Sequence, residues 1–251
     1  MSTAPPPPSR DFTRTAWPTG VRAGRRVLNR LNEEVAARRH RSAHELYDRF
    51  HEFTMVPEPW FVDNLRLVDT LGPVPGDIVE CGTWRGGMVA AIATRLADPA
   101  RHVHLFDSFE GLPPAGPADG ESAHAWQADP TGPDYHDNCR AEQAEAEAAM
   151  RRSGAAAWTI HRGWFDDTVG PFAQSEPTPR VALLRLDGDW YDSTLTCLRA
   201  LYPLVVPGGL VIIDDYDVWD GCSRAVHDYL SETSSPDRIN HFGSVPYLRR
   251  R

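Results

Sequence analysis

Short apolar runs alternate with amphipathic segments from Gly76 to about residue 232. The apolar runs have the length of buried strands and fall at residues 78–79, 103–106, 158–160, 181–184 and 210–213. The segments between them carry apolar residues at three- and four-residue steps, notably in 88–97, 139–152 and 194–202, and another helical pattern follows the last run. Five alternations of strand and helix predict an α/β fold with a doubly wound parallel sheet.

The chain before this alternation has a different character. Pro5 to Pro8 cannot donate backbone hydrogen bonds, so we expect residues 1–20 to form a mobile arm. Apolar residues recur at helical spacing in 22–50, and we expect residues 21–75 to form an N-terminal helical extension. We interpret the basic side of this helix as a solvated face or a subunit contact, and we expect a homo-oligomer. The remaining residues, 76–251, form the main domain.

Residues 111–138 interrupt the alternation with a connection rich in proline and glycine. Connections of this length are uncommon inside a compact domain and are often lids or binding loops. This segment carries four ring side chains that could cover a pocket, namely His124, Trp126, Tyr135 and His136. We therefore predict a lid, with an insertion of no function as the alternative.

Composition and charge exclude several classes of function. The chain has 26 basic and 35 acidic residues and a formal net charge of −9, which argues against nucleic acid as a partner. No apolar stretch reaches the ~18 residues that a membrane span needs. The chain contains no lysine, so no lysine base is available. The four cysteines form no CxxC pair, and we expect free thiols in a reduced cytoplasm.

Glycines and acids follow the first two predicted strands. The first strand leads through VECGTWRGG, residues 79–87, where Gly82 and Gly86 permit a tight turn and a close approach of backbone to ligand. Asp107 ends the second strand, a position from which an acid can accept both hydroxyls of a ribose. Gly163, Trp164 and Phe165 follow the third strand and could form a flat wall for adenine. Together these features favour an adenosine-containing cofactor, with a helix cap or plain core as the alternative roles.

Clustered carboxylates follow the fourth and fifth predicted strands, in LDGDWYDST and IIDDYD. Neighbouring parallel strands should place Asp187, Asp214 and Asp215 at one edge of the sheet. Three close carboxylates repel one another unless a cation or protons intervene, and an all-oxygen set favours Mg²⁺, with Mn²⁺ also possible. The alternative is that these acids cap the helices that follow.

Several of these motifs resemble the macrocin O-methyltransferase family over about residues 45–232. The similar segments are ECGTWRGG, DSFEGLP, GWFDDT, LDGDWYDST with LYPLVVPGG, and IIDDYDVWDGCSRAV. The resemblance implies a class I, Rossmann-like methyltransferase that depends on S-adenosylmethionine and Mg²⁺. It also implies a small-molecule glycoside acceptor that is methylated on a sugar hydroxyl during antibiotic biosynthesis.

The family resemblance assigns roles to individual residues. The residues implied to bind the cofactor are Thr54, Met55, Glu80, Gly82, Thr83, Gly86, Asp107, Ser108, Gly163, Trp164, Phe165 and Asp187. The implied metal ligands are Asp187, Asp214 and Asp215. Asp189 is the implied base, because a proton must leave the attacking hydroxyl during methyl transfer. The alternatives are that His124 or His136 is the base and that Asp189 caps the helix near Ser193.

Two other functions are compatible with parts of the pattern. Methylation of a catechol-type phenol on an aromatic polyketide would also use Mg²⁺, but such enzymes commonly place a lysine beside the metal. A metal-dependent hydrolase could use the aspartates but would leave the glycine loop and Asp107 without a role. A non-catalytic scaffold is disfavoured because unpaired acids near a core are costly.

Overall fold

The computed structural model describes residues 42–133 and 135–251. The predicted arm over residues 1–20 and the helical pattern up to residue 41 lie outside the described residues. The helices are α1 (residues 42–50), α2 (Glu58–Val68), α3 (Gly87–Leu96), α4 (Gly120–Ala128), α5 (Gln143–Ser153), α6 (Phe165–Ala173), α7 (Tyr191–Leu201) and α8 (Asp220–Glu232). The strands are β1 (Asp77–Cys81), β2 (His102–Asp107), β3 (Ala157–Arg162), β4 (Val181–Leu186), β5 (Val205–Ile213), β6 (Asn240–Phe242) and β7 (Val245–Arg249).

The seven strands form one sheet in the order β3-β2-β1-β4-β5-β7-β6. The five predicted strands are all present, and all pair in parallel. The prediction of a doubly wound sheet is confirmed. Strand order reverses between β1 and β4, and ligands of such sheets bind at the carboxyl ends of the strands beside this point.

The antiparallel hairpin of β6 and β7 was not expected from the sequence. Gly243 supplies its turn with a φ of +58°, and β7 pairs with β5. Proline at position 246 and arginine at 249 and 250 weaken the apolar pattern of this segment. Burial of Val245 and Leu248 nevertheless fixes the strand against the two cores.

Alternate residues of each strand pack into one of two hydrophobic cores, one on each face of the sheet. On one face Ile78 and Leu183 pack among α1, α2, α3 and α5. On the other face Val79 and Leu184 pack among α6, α7 and α8. The sheet is therefore covered on both faces, and its carboxyl edge carries the loops that build the site.

The segment 111–138 contains α4, which the proline- and glycine-rich sequence did not predict. Asp119, 3% exposed, accepts hydrogen bonds from the backbone N–H of Gly116 at 2.7 Å and of Tyr191 at 2.6 Å. The side-chain amide of Gln127 donates to the carbonyl of Pro113 at 2.8 Å and to Oδ1 of Asn138 at 3.2 Å. These bonds fasten the segment both to itself and to the start of α7.

Candidate active site

A cavity of about 680 Å³ opens at the carboxyl edge of the parallel strands. This volume is typical of a small-molecule site. Its walls come from the loops after β1 to β5, from the chain between α1 and α2, and from the segment 111–138. Of the residues predicted to bind cofactor or metal or to act as base, every one except Gly86 lines this cavity.

The ends of the strands align because of the sheet register. Cys81 is paired with Leu186, and Leu186 with Ile213. The ladder continues one residue further, since Asp187 N–H donates to the carbonyl of Cys81 at 2.8 Å and Asp214 N–H donates to that of Leu186 at 2.9 Å. Residues that follow three different strands are thereby brought side by side.

The two glycines of the first loop are required by packing within the protein. Gly82 has a φ of +82°, and a Cβ there would overlap the carbonyl oxygen of Asp187. Gly86 has a φ of +80°, and a Cβ there would lie 3.1 Å from Cα of Ala146 in α5. Gly82 also lines the cavity, whereas Gly86 does not.

The carboxylate of Asp107 holds the glycine loop. Its Oδ2 accepts the backbone N–H groups of Thr83 and Trp84, both at 2.7 Å, and its Oδ1 accepts that of Phe109 at 2.7 Å. Burial raises its pKa, and these hydrogen bonds oppose that rise. Each carboxylate oxygen can accept more than one hydrogen bond, so Asp107 can still face a ribose from the cavity wall.

Asp187, Asp214 and Asp215 converge as predicted. Each offers a carboxylate oxygen, and these three oxygens lie within 4.8 Å of one another. Burial, together with the charge of Asp214, raises the pKa of Asp187 to about 6. Burial and the charges of Asp189 and Asp187 also raise the pKa of Asp215. The cluster thus holds more negative charge than its surroundings neutralise, which suits a hard divalent cation.

Arg185 is part of this cluster and was missed in the sequence. Its guanidinium is 1% exposed and forms ion pairs with Glu80 at 2.9 Å, Asp187 at 2.7 Å and Asp214 at 2.6 Å. Burial raises the pKa of Glu80 to about 8 despite this cation. A lone arginine within an otherwise apolar strand, VALLRL, was the available signal, because a buried cation needs buried acids beside it.

Asp189 does not cap a helix. Helix α7 begins at Tyr191, whose backbone N–H donates to the carboxylate of Asp119 and not to that of Asp189. Instead Oδ1 of Asp189 accepts a hydrogen bond from the indole N–H of Trp219 at 2.8 Å, and its backbone N–H donates to Oδ2 of Asp215 at 2.9 Å. Burial and the charge of Asp187 raise the pKa of Asp189 to about 7. The Asp189 side chain also lines the cavity.

The two candidate histidines of the segment 111–138 separate in the structure. His136 lines the cavity, whereas His124 lies on the exposed face of α4 and does not. The structure therefore leaves His136 as the histidine alternative to Asp189.

Tryptophan is concentrated around the cavity. Six of the seven tryptophans in the described residues line it, namely Trp60, Trp84, Trp126, Trp164, Trp190 and Trp219. The exception is Trp158 in β3. The large hydrophobic side chains that are exposed in the described residues, Trp164 at 38% and Val218 at 45%, also belong to the cavity lining.

Comparison with known proteins identifies the family. The family model described as Macrocin-O-methyltransferase (TylF) matches residues 27–249. The chain belongs to the macrocin O-methyltransferase family. This confirms the resemblance inferred from the motifs, and it makes the chain an O-methyltransferase rather than a hydrolase.

Individual relatives agree with this membership. The chain is 39% identical over 187 residues to 8-demethyl-8-(2,3-dimethoxy-alpha-L-rhamnosyl)-tetracenomycin-C 4'-O-methyltransferase of Streptomyces olivaceus, covering 71% of this chain and 68% of the relative. It is 34% identical over 190 residues to demethyldecarbamoylnovobiocin O-methyltransferase of Streptomyces niveus, with the same two coverages. The solved structure of the O-methyltransferase NovP superposes with a TM-score of 0.64 at 30% identity, covering 79% of this chain and 82% of NovP.

In residues 42–133 and 135–251, no helix is both long and apolar enough to cross a membrane.

Proposed function

We propose that this macrocin O-methyltransferase family member transfers a methyl group from S-adenosylmethionine to a sugar hydroxyl of a glycosylated natural product, with Mg²⁺ or Mn²⁺ as a further cofactor. One observation carries the proposal. The carboxylates of Asp187, Asp214 and Asp215 share a single cavity with the glycine loop and Asp107. Methyl transfer needs the methyl donor and the acceptor hydroxyl side by side, so the cofactor site and the metal site must share one cavity.

The cofactor would occupy the half of the cavity beside β1, β2 and β3. Thr83 and Asp107 would face its ribose, Trp164 its adenine, and Thr54 and Met55 would cover it from the N-terminal side. When bound, S-adenosylmethionine supplies a methyl group activated by a sulfonium. The exposed ring of Trp164 supports this placement, because a flat aromatic surface suits a purine.

The metal would be held by Asp187, Asp214 and Asp215. The donor set is all oxygen, and burial together with the charges of neighbouring carboxylates raises the pKa of Asp187 and of Asp215. When bound, Mg²⁺ supplies a Lewis acid that orients the acceptor and lowers the pKa of its hydroxyl. Arg185 would keep the carboxylates of Asp187 and Asp214 in place through its ion pairs.

Asp189 would accept the proton of the attacking hydroxyl. The hydrogen bond from Trp219 fixes one carboxylate oxygen of Asp189, which leaves the other for the acceptor. A divalent cation bound at the neighbouring Asp187 and Asp215 would lower the pKa of Asp189 and keep its carboxylate ionised, as a proton acceptor must be.

A sugar acceptor is supported by the relatives. The relative from Streptomyces olivaceus is named as a 4'-O-methyltransferase of a tetracenomycin that carries a rhamnosyl group. Catechol-type enzymes commonly place a lysine beside the metal, and this chain has none. A glycoside is therefore the favoured acceptor over a phenol.

The cofactor half of the proposal is tested by calorimetric titration with S-adenosylmethionine. We expect micromolar affinity for the wild type and a loss of about 30- to 1,000-fold in Asp107→Ala, because the variant loses an acceptor of ribose hydroxyls and releases the glycine loop. Asp129→Ala, an exposed acid of the segment 111–138, serves as the matched control. Unchanged affinity in a folded Asp107→Ala protein would remove Asp107 from the site.

A further inference from the structure

Four successive residues at the end of the segment 111–138 have a left-handed backbone. Left-handed φ and ψ angles are unfavourable for residues that carry a Cβ, and proteins use them at single positions rather than in runs. A run persists only where surrounding contacts hold it, and residues held in this way are concentrated at functional sites. The φ angles here are +42° at His136, +53° at Asp137, +54° at Asn138 and +61° at Cys139. We refer to these four residues as the left-handed turn.

Asn138 joins the left-handed turn to the start of the same segment. Its carbonyl accepts the backbone N–H of Leu112 at 2.9 Å, and its side-chain amide donates to the carbonyl of Leu112 at 2.8 Å. Its Oδ1 accepts the side-chain N–H of Gln127 at 3.2 Å. The approach is close, since a Cβ at Gly111 would lie 2.5 Å from the carbonyl oxygen of Asn138. Hydrogen bonds through one residue therefore hold the unfavourable backbone in place.

The left-handed turn is also joined to both loops that are proposed to bind the cofactor. The indole N–H of Trp84, in the loop after β1, donates at 3.0 Å to the carbonyl of Arg140, the residue after the turn. The backbone N–H of Trp84 donates to the carboxylate of Asp107. Leu112, which Asn138 holds, belongs to the chain that leaves Asp107 after β2. The turn thus bridges the two chain segments that meet at the Asp107 carboxylate.

The left-handed turn forms part of the cavity wall. The side chains of His136 and Cys139 both line the cavity. Burial, followed by the charges of Asp189 and Asp187, raises the pKa of the Cys139 thiol, and the charge of Asp107 adds to this rise. Cys139 is therefore within range of the charges of both the carboxylate cluster and Asp107. A change in the turn would alter the cavity where the proposed cofactor and metal sites adjoin.

We propose that Asn138 is a positioning residue for S-adenosylmethionine, because it locks the left-handed turn and so keeps the cofactor half of the cavity preformed. This inference rests on the proposed function. If the turn relaxes to a more favourable backbone, only the fraction of molecules that retains it can bind, and the apparent affinity falls by that fraction. Asparagine suits the position because its amide both donates and accepts, and because it tolerates a left-handed backbone better than most residues.

The first test is calorimetric titration of the full chain with S-adenosylhomocysteine. Asn138→Gly keeps the left-handed backbone accessible but removes the side-chain hydrogen bonds, and we expect the affinity to fall by at least about tenfold. Asp137→Gly is the matched control, because it changes the neighbouring left-handed position and keeps the bonds of Asn138. This control should bind within about threefold of the wild type.

The second test measures the turn itself through the reactivity of Cys139. This thiol is partly exposed, whereas Cys81, Cys197 and Cys222 are buried. Alkylation by N-ethylmaleimide is followed by mass spectrometry, and Cys139→Ser identifies the labelled position. In the free protein, Asn138→Gly should accelerate alkylation of Cys139 by at least about tenfold, and Asp137→Gly should leave the rate near that of the wild type. Saturating S-adenosylhomocysteine should slow the alkylation of wild-type Cys139.

A second variant keeps the proposal testable if Asn138→Gly does not fold. Gly111→Ala presses a Cβ against the carbonyl oxygen of Asn138 from the other side of the same contact. We expect it to weaken S-adenosylhomocysteine binding and to accelerate alkylation of Cys139 to a similar extent.

The outcomes separate this inference from the proposed function. Wild-type affinity and wild-type alkylation in Asn138→Gly would overturn the role of Asn138 and leave the proposed function intact. An equal loss of affinity in Asp137→Gly would also overturn it, because the effect would then not depend on the bonds of Asn138. If the wild type does not bind S-adenosylhomocysteine, the proposed function fails, and this inference fails with it.

Discussion

The guanidinium Nη2 of Arg185 lies 2.6 Å from Oδ1 of Asp214, on the neighbouring strand end of the same sheet. The same guanidinium also contacts Glu80 and Asp187, so one buried cation joins three acids from three strands. The charge of Arg185 therefore neutralises part of the negative charge of the acidic cluster, and the acids of the cluster also line the cavity.

Removal of this internal cation should destabilise the fold. Arg185→Met leaves buried carboxylates without a partner, and we expect the free energy of unfolding in urea to fall by about 3–5 kcal/mol. Arg199→Met, which breaks the exposed pair with Glu232, is the control and should cost less than about 1 kcal/mol. Addition of Glu80→Gln to Arg185→Met should recover part of the loss. A cost for Arg185→Met as small as that of the control would show that the cluster does not need this cation.

Substitution of the proposed base should affect turnover more than binding. Asp189→Asn keeps the shape of the side chain and removes its basicity, so we expect turnover to fall by about 10²–10⁴-fold while calorimetry shows unchanged cofactor affinity. His136→Gln tests the alternative base, and His124→Gln is its control outside the cavity. Near-normal turnover in Asp189→Asn, with loss of turnover in His136→Gln, would move the base to the segment 111–138.

The segment 111–138 should close more tightly when ligands bind. Asp119→Ala removes the buried acceptor of two backbone N–H groups, and we expect hydrogen exchange over residues 116–128 to accelerate by about 10- to 100-fold in the free protein. Asp129→Ala, an exposed acid in the same segment, should leave the exchange rates unchanged. In the wild type, S-adenosylhomocysteine and an acceptor together should slow this exchange. Equal protection with and without ligands would reject a lid.

The imidazole of His161 should make the protein sensitive to acid. Burial, with the neighbouring charges of His104 and His102, lowers the pKa of His161 from 6.5 to about 4. Between these two values the unfolded chain binds a proton that the folded protein does not, so stability is lost as the pH falls from about 6.5 to about 4. His161→Phe preserves the ring stacked on Phe106 and should show a smaller fall in the urea midpoint over this range. Parallel curves for the two proteins would contradict this assignment.

The sequence predicted the parts of the molecule that follow from periodicity. Five apolar runs became five parallel strands, and the rule that their carboxyl ends share one edge placed Asp187, Asp214 and Asp215 together. Helix α4 was missed because proline and glycine dominate the sequence on either side of it, which is typical of a loop. The hairpin of β6 and β7 was missed because its burial depends on tertiary contact with β5, which a local pattern does not contain.

Within the site, the residues suited to bind a cation were easier to predict than the contacts that hold those residues in place. The carboxylates of the cluster indicated a cation site from the sequence. The hydrogen bonds and ion pairs that position these carboxylates join residues far apart in the chain, so a local pattern does not reveal them. Arg185 reaches Glu80 over 105 positions, and Trp219 reaches Asp189 over 30. Asp107 was expected to face a ribose. Its three hydrogen bonds to backbone N–H groups depend on the conformation of the loop after β1, which the sequence does not specify.

The most direct test of the account is the binding of Mn²⁺ to chelator-treated protein, followed by the electron paramagnetic resonance signal of free Mn²⁺. We predict one Mn²⁺ site per chain in the wild type, competition by Mg²⁺, and loss of the site in Asp187→Ala, Asp214→Ala and Asp215→Ala, each checked for its fold and for retained binding of S-adenosylhomocysteine. The matched Asp129→Ala protein should bind Mn²⁺ as the wild type does. No saturable Mn²⁺ binding in the wild type, or full methyl transfer after exhaustive chelation, would contradict a metal-dependent site at these carboxylates.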